Sequence, residues 1–292
     1  MSQGEKAVEA LAWLAPVYDA LGLFWEPMFL RRASLALGLL TLVTAGAGVL
    51  VVNLRLAYFA EAVGHTVLAG LALALVFSWP EKPAVLGVGA VAGLGVVGLT
   101  RHSRLAADTA IGLVFSGLIA LSLALVSRHS GAARGLSRLI LGDILTVTDE
   151  EILVLAGLAL VTVIFLALFF NHLALESLSP TLARTRRPLL SRFLPYLFGL
   201  WLALTATVAV WSVGLLLVTA LLVAPAAAGR AAASSARGMF WAAQAAAAAS
   251  GQIGLYISTR PGLNTATGAT VVLTAVFIFI LVQAGASSSR RG

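Results

Sequence analysis

Apolar runs of about twenty residues recur from Ala33 to Val282, and each is long enough for a helix to cross a hydrocarbon core of about 30 Å. Few folds accept such a chain. In lipid every backbone polar group must be satisfied internally, which leaves helices or closed barrels, and the short alternating segments of a barrel are absent. At 60% hydrophobic residues, 11% charged residues and a mean hydropathy of +0.99 over 292 residues, the chain is too apolar for a soluble domain. The expected fold is all-α, a polytopic integral membrane bundle of about seven to nine spans.

The spans read as roughly 33–52, 56–79, 84–99, 110–126, 150–170, 194–223, 239–257 and 265–282. The 194–223 run exceeds one crossing, so a broken helix or a tight pair is expected around Ser212-Val213-Gly214. Residues 1–32 carry Glu9, Asp19 and Glu26 among Trp13, Tyr18 and Trp25, a pattern suited to an amphipathic interfacial segment. Glu5 and Glu9 replace the basic start of a secretory signal, so the whole chain reads as mature protein. A transmembrane domain is expected over 33–285, with a polar cytoplasmic loop holding a short helix at 171–195 and a flexible tail at 286–292. Pro225 through Arg230, with Arg237, reads as an inside turn, and Asp149-Glu150-Glu151 as a helix N-terminus.

Nineteen Lys and Arg against twelve Asp and Glu give a net charge of +7, which reads as membrane orientation rather than nucleic-acid binding. Eleven of the nineteen fall inward if Arg55, Arg101, Arg104, Arg184, Arg186, Arg187, Arg192, Arg230, Arg237, Arg290 and Arg291 share one side. Without cysteine there is no disulfide and no thiolate metal site, so any metal chemistry uses nitrogen and oxygen donors. No phosphate-binding G-x-x-x-x-G-K-[ST] loop occurs, and energy from ATP would have to come from another polypeptide. No G-x-S-x-G nucleophile occurs either; the chain reads as a transport subunit and not an enzyme.

Glu61 and His65 are the ionisable residues set inside a span, and at i, i+4 they can approach one ion together. Neutral imidazole with a carboxylate suits Zn²⁺, Mn²⁺ or Fe²⁺ as a passing substrate, and two ligands make the weak site a conduit requires. The plainer alternative is a Glu61–His65 hydrogen bond that packs two helices. Asp108 reads as a cap on the helix beginning near Thr109, or as a pathway residue. His102, His129 and His172, and most tryptophans, read as residues at span ends.

Four stretches resemble the permease subunits of zinc/manganese-type ABC importers: Arg55 with Glu61-Ala62-Val63-Gly64-His65 and Gly70; Asp108-Thr109-Ala110-Ile111-Gly112; Gly214-Leu215-Leu216 through Pro225-Ala226-Ala227; and Gly254-Leu255-Tyr256-Ile257-Ser258 with Pro261-Gly262. They are collinear from about residue 30 to 285. The resemblance implies a type II ABC importer permease: a dimer, most simply a homodimer, forming one pathway, served by cytoplasmic ABC ATPase subunits and an extracytoplasmic metal-binding protein, in the inner membrane of a prokaryote. It implies Glu61 and His65 as metal-path residues and a docking segment including Ser179, Pro180, Ala183, Arg184 and Arg187. The family usually has Asp where Glu61 stands, and often Ser-Phe-Asp-Pro where this chain has Ser177-Leu178-Ser179-Pro180. Two other function classes fit the residues alone: a proton-coupled transporter in which Glu61 and His65 relay protons, and a permease for a siderophore- or cobalamin-like chelate.

Overall fold

A computed structural model of the chain describes residues 27–102, 107–127, 144–260, 263 and 265–289. These form eleven α-helices with one 3₁₀ turn at Ile144–Thr146, and there is no strand among the described residues. The helices are α1 (Met28–Asn53), α2 (Ala57–Gly64), α3 (Thr66–Phe77), α4 (Glu81–His102), α5 (Ala107–Val126) and α6 (Asp149–Leu178), followed by α7 (Pro180–Arg186), α8 (Pro188–Val213), α9 (Leu215–Ala232), α10 (Ala236–Ser258) and α11 (Thr267–Ser289). Eight segments among the described residues, with α2 and α3 counted together, are long and apolar enough to cross a membrane. The chain is a multi-pass membrane protein.

α1, α9 and α10 pack on one another and α11 packs on α9 and α10, while α3, α4, α5 and α8 gather around α2. α6 lies against α1, and its start is tied there by Arg32, whose Nη2 donates to Asp149 Oδ2 at 2.6 Å. The acidic start of α6 is a capping box: Thr148 Oγ1 accepts from Glu151 N–H while the Glu151 carboxylate accepts from Thr148 N–H at 2.8 Å.

α10 is outside the apolar eight, yet it crosses the same layer. The Gln252 amide accepts from Ser34 Oγ and donates to the Ser34 carbonyl, and Gln244 Nε2 donates to the Leu42 carbonyl. As residue number rises on α1 it falls on α10, so the two helices run antiparallel along their length. Counting α10, the described helices make nine crossings. The ends of α1, α4, α6, α9 and α11 then share one side, with Arg55, Arg101, Arg184, Arg186, Arg187, Arg192, Arg230 and Arg237. The other side holds Arg31, Arg32, Lys82 and Arg260 beside Glu81, Asp149, Glu150 and Glu151. The positive-inside rule predicts that this basic side faces the cytoplasm.

Several expected boundaries move. α6 continues to Leu178 and α8 starts at Pro188, so the polar stretch 171–195 is mostly helix and only 179–187, with α7, lies between spans. α9 runs through Pro225 to Ala232, and the turn expected there falls at 233–235. A proline inside a membrane helix is tolerated because neighbouring groups can meet the freed carbonyl. Residues 286–289, expected in a flexible tail, are the last turn of α11, and residues 28–32 of the expected interfacial segment belong to α1. Residues 1–26 lie outside the described residues. The expected break near Gly214 is present: its φ of 95° and ψ of 156° suit glycine and separate α8 from α9.

α1 ends with Arg55 N–H on the Val52 carbonyl and Leu56 N–H on the Val51 carbonyl, the Schellman arrangement, with Arg55 at the left-handed position and φ of 58°. Arg55→Gly is therefore expected to stabilise the protein by about 1 kcal/mol, read as a higher melting temperature in detergent.

Candidate functional site

The Glu61/His65 helix is not continuous. Gly64 ends α2, Thr66 starts α3, and His65 is the joint, with φ of −72° and ψ of −11°. A side chain at 64 would collide with Leu215, the first residue of α9 after the Gly214 break, so the two interruptions of the bundle meet at one place. Interrupted helices at a shared point are how transporters build ion sites from backbone and side chains.

Tyr58, Glu61 and His65 occupy one face of α2 at i, i+3 and i+7. The first two are exposed and His65 is half-buried, while Phe59, Ala62 and Val63 on the opposite face are buried in the core. At 1.5 Å per residue, Glu61 lies about 6 Å and His65 about 12 Å in from the start of α2 on the basic side. The packing alternative is not what forms: the imidazole Nδ1 sits 2.9 Å from the Glu61 main-chain carbonyl, and the carboxylate is not its partner. Because a carbonyl only accepts, Nδ1 carries the proton and the lone pair of the neutral ring is on Nε2. A metal-ligating histidine is commonly oriented in this way, by donating its other N–H to a backbone carbonyl. Phe115 of α5 meets the ring edge-on at 4.9 Å and fixes its plane.

Asp108 does not cap a helix starting at Thr109; α5 begins at Ala107 and Asp108 lies within its exposed first turn, where the helix dipole favours an acid. It is seven residues before Phe115 and so on the same face of α5. α2 and α5 pack together and both run away from the basic side, which sets Asp108 nearer that side than His65. Among the described residues no group of three or more His, Asp or Glu is arranged to hold a metal.

In the expected docking segment, Ser179 caps α7 by accepting from Leu182 N–H at 3.4 Å, and Pro180 follows at the first helical position. Arg184 and Arg187 are exposed, but Ala183 is fully buried and anchors α7 rather than facing outward. Sequence reasoning missed the apolar half of this surface: Leu178, Leu182 and Leu189 are exposed at 82%, 56% and 73%. Their signal was leucine interleaved with arginine in a segment too short to span.

Other expectations fare unevenly. His102 is exposed at the end of α4, as expected. His172 is not interfacial; it is buried between α6 and α8 with Nε2 3.1 Å from Ser191 Oγ. Trp201 is likewise internal, stacked on Phe165 at 4.2 Å, whereas Trp79 and Trp241 are exposed. His129 lies outside the described residues.

Comparison with known proteins covers the whole bundle. The manganese import system permease protein ScaB of Streptococcus gordonii is 28% identical over 87% of this chain and 90% of its own length. The manganese transport system membrane protein MntC of Listeria innocua is 30% identical over 87% of this chain and 89% of its own. A probable iron transport system membrane protein of Haemophilus influenzae is 30% identical over 77% and 81%. Among solved structures, PsaBC from Streptococcus pneumoniae in complex with Fab superposes with a TM-score of 0.75 at 25% identity, over 91% of this chain and 94% of that one. The family model for the ABC 3 transport family matches residues 26–286, and the chain belongs to that family.

Proposed function

We propose that this chain is the membrane subunit of an ATP-driven importer of divalent metal ions, Mn²⁺ foremost and Zn²⁺ or Fe²⁺ by the same chemistry, in the plasma membrane of a bacterium. The observation that carries the reading is the face of α2 on which Glu61 is exposed and His65 offers Nε2, with Asp108 toward the cytoplasm. A carboxylate within a membrane span does not face lipid; it faces water or another protein. A second copy of this chain across the pathway supplies that surroundings, and two Glu61/His65 pairs complete a coordination shell that one chain lacks. The names of the relatives, manganese and iron systems, support the substrate class. Exposed oxygen and imidazole donors suit these borderline cations, which are carried and not retained.

The cytoplasmic surface of α7, with Ser179, Pro180, Arg184, Arg187 and the exposed Leu178, Leu182 and Leu189, docks a separate ABC ATPase. An extracytoplasmic metal-binding protein delivers the ion to the opposite mouth. ATP-driven closure then alternates access to the Glu61/His65 pairs, and no covalent chemistry occurs in this chain.

The test is whole-cell metal content by mass spectrometry in cells expressing the chain with its ATPase and binding protein, with Mn, Zn and Fe supplied in turn. One metal is expected to accumulate severalfold over cells whose ATPase carries an inactivating substitution. Accumulation that persists without ATP hydrolysis and follows the proton gradient would sink the proposal.

A further inference from the structure

The cytoplasmic end of α4 holds a joint that the metal face does not use. Pro195 lies inside α8 and has no N–H, so the carbonyl four residues before it, that of Ser191, loses its helical partner. Arg101, at the end of α4, supplies the missing donor: Nη2 donates to the Ser191 carbonyl at 3.3 Å and Nη1 to the Arg192 carbonyl at 3.2 Å. Glu176 at the end of α6 holds the guanidinium from behind, with Oε1 3.8 Å from Nη2, and the Tyr196 ring lies under it at 5.6 Å. The other Glu176 oxygen, Oε2, is buried without a hydrogen-bond partner. A cavity of about 450 Å³ beside the joint is lined by Arg55, Arg101, Glu176, Pro180 and Arg184, so it reaches the docking helix α7.

From this joint a continuous seam runs toward His65. α4 and α8 are antiparallel and touch backbone to backbone where Gly93 faces Gly199, since a Cβ on Gly93 would come within 2.9 Å of the Gly199 carbonyl oxygen. Further along, Gly89 fits against Thr207, and Thr207 Oγ1 lies 3.4 Å from Thr66 Oγ1, one residue from the His65 joint. Any side chain larger than hydrogen at Gly89 or Gly93 would open this seam. With so little free space, α4 has to follow a bend of α8 at Pro195 rather than slide past it.

We propose that Arg101 is a positioning residue for transport: it latches α4 to the proline hinge of α8, so that movement of the docking segment is passed along α4 to the helix interruption at His65. The latch rests on the reading of α7 as the ATPase contact. Arg101 touches no substrate. Its guanidinium fork spans two carbonyls and a carboxylate at once, which a lysine ammonium cannot reproduce. The free Oε2 of Glu176 marks a side chain held for orientation, with one oxygen on Arg101 and the other left over.

The experiment uses the complete transporter with its ATPase in proteoliposomes and measures metal taken up per ATP hydrolysed, for the unaltered chain, Arg101→Ala, Arg101→Lys and Glu176→Gln. In both Arg101 variants the ratio is expected to fall about tenfold, with ATP hydrolysis within a factor of about two of the unaltered complex. Glu176→Gln, which keeps a hydrogen-bonding oxygen, is expected to fall less. A general loss of folding lowers uptake and hydrolysis together and leaves the ratio alone, so an unchanged ratio in Arg101→Lys overturns the proposal even if Arg101→Ala fails to assemble. If the unaltered complex itself shows no ATP-driven uptake, the importer reading fails instead, and that result is separable from an unchanged ratio in the variants.

Discussion

Cells carrying His65→Ala are expected to take up roughly a hundredfold less metal than cells with the unaltered chain at matched expression, because loss of a mere supporting partner of a metal ligand already costs 10–100-fold. On the proposed pathway His65 contributes the nitrogen donor of the α2 face; its Nδ1 lies 2.9 Å from the Glu61 carbonyl and its ring meets the Phe115 edge. Among the described residues no group of three or more His, Asp or Glu is arranged to replace it. In a two-copy pathway each chain would lose its nitrogen at once. Glu61→Gln, equal in size but uncharged, is expected to give a loss of the same order. Glu61→Asp is expected to keep uptake while changing which metal is preferred, since it withdraws the oxygens by one methylene from a pair whose spacing is otherwise fixed. Whole-cell metal content, read beside ATP hydrolysis in membranes, checks all three; uptake by His65→Ala within twofold of the unaltered chain would remove the residue from the pathway.

Gly48→Val is expected to destabilise the protein by about 3 kcal/mol, the upper end of the cost of forcing extra atoms into a packed core. A Cβ at 48 would run into the Leu222 carbonyl oxygen and stand 3.2 Å from Ala226 Cβ, so α1 and α9 touch there through backbone. Carbonyl oxygens of a helix cannot turn aside as a flexible side chain would. The helix axes must separate, and the α1, α9, α10 core around Ala45, Val49, Ala226 and Ala243 opens with them. In detergent the melting temperature is expected to fall by roughly 5–10 °C, since about 1 kcal/mol shifts a chain of this size by a few degrees. Gly38→Ala is the control: nothing lies within 4 Å of a Cβ there, and its melting temperature should hold or rise slightly.

Much of this architecture was legible in the residues. Spans declare themselves by length and apolarity, and the acidic start of α6 and the Gly214 break announce themselves locally. Glu61 and His65 were visible because charge is so rare in these runs. What was not legible depends on neighbours. The joint at His65 has no proline to mark it, and it becomes a joint because Gly64 must admit Leu215, 151 residues further along the chain. Pro225 looked like a turn because in water a proline ends a helix, whereas in the bundle α9 continues through it. His172 looked interfacial from its polar neighbours, and only the folded chain turns it inward to Ser191. Ala183 matched a docking motif, but a residue type does not say which way a seven-residue helix faces.

α10 has a consequence for how the protein is made. Its alanines, serines and glutamines give it little tendency to leave the translocon for lipid by itself, and its amides find their acceptors on Ser34 and Leu42 of α1. Every helix from α2 to α9 must therefore be synthesised before α1 meets the helix that lies along it. A ribosome that stops after α9 releases a chain in which α1 still shows an open polar seam to the membrane. Completion of the face that α1 turns to α10 is thus a late event of biogenesis, and these two helices prove each other's presence.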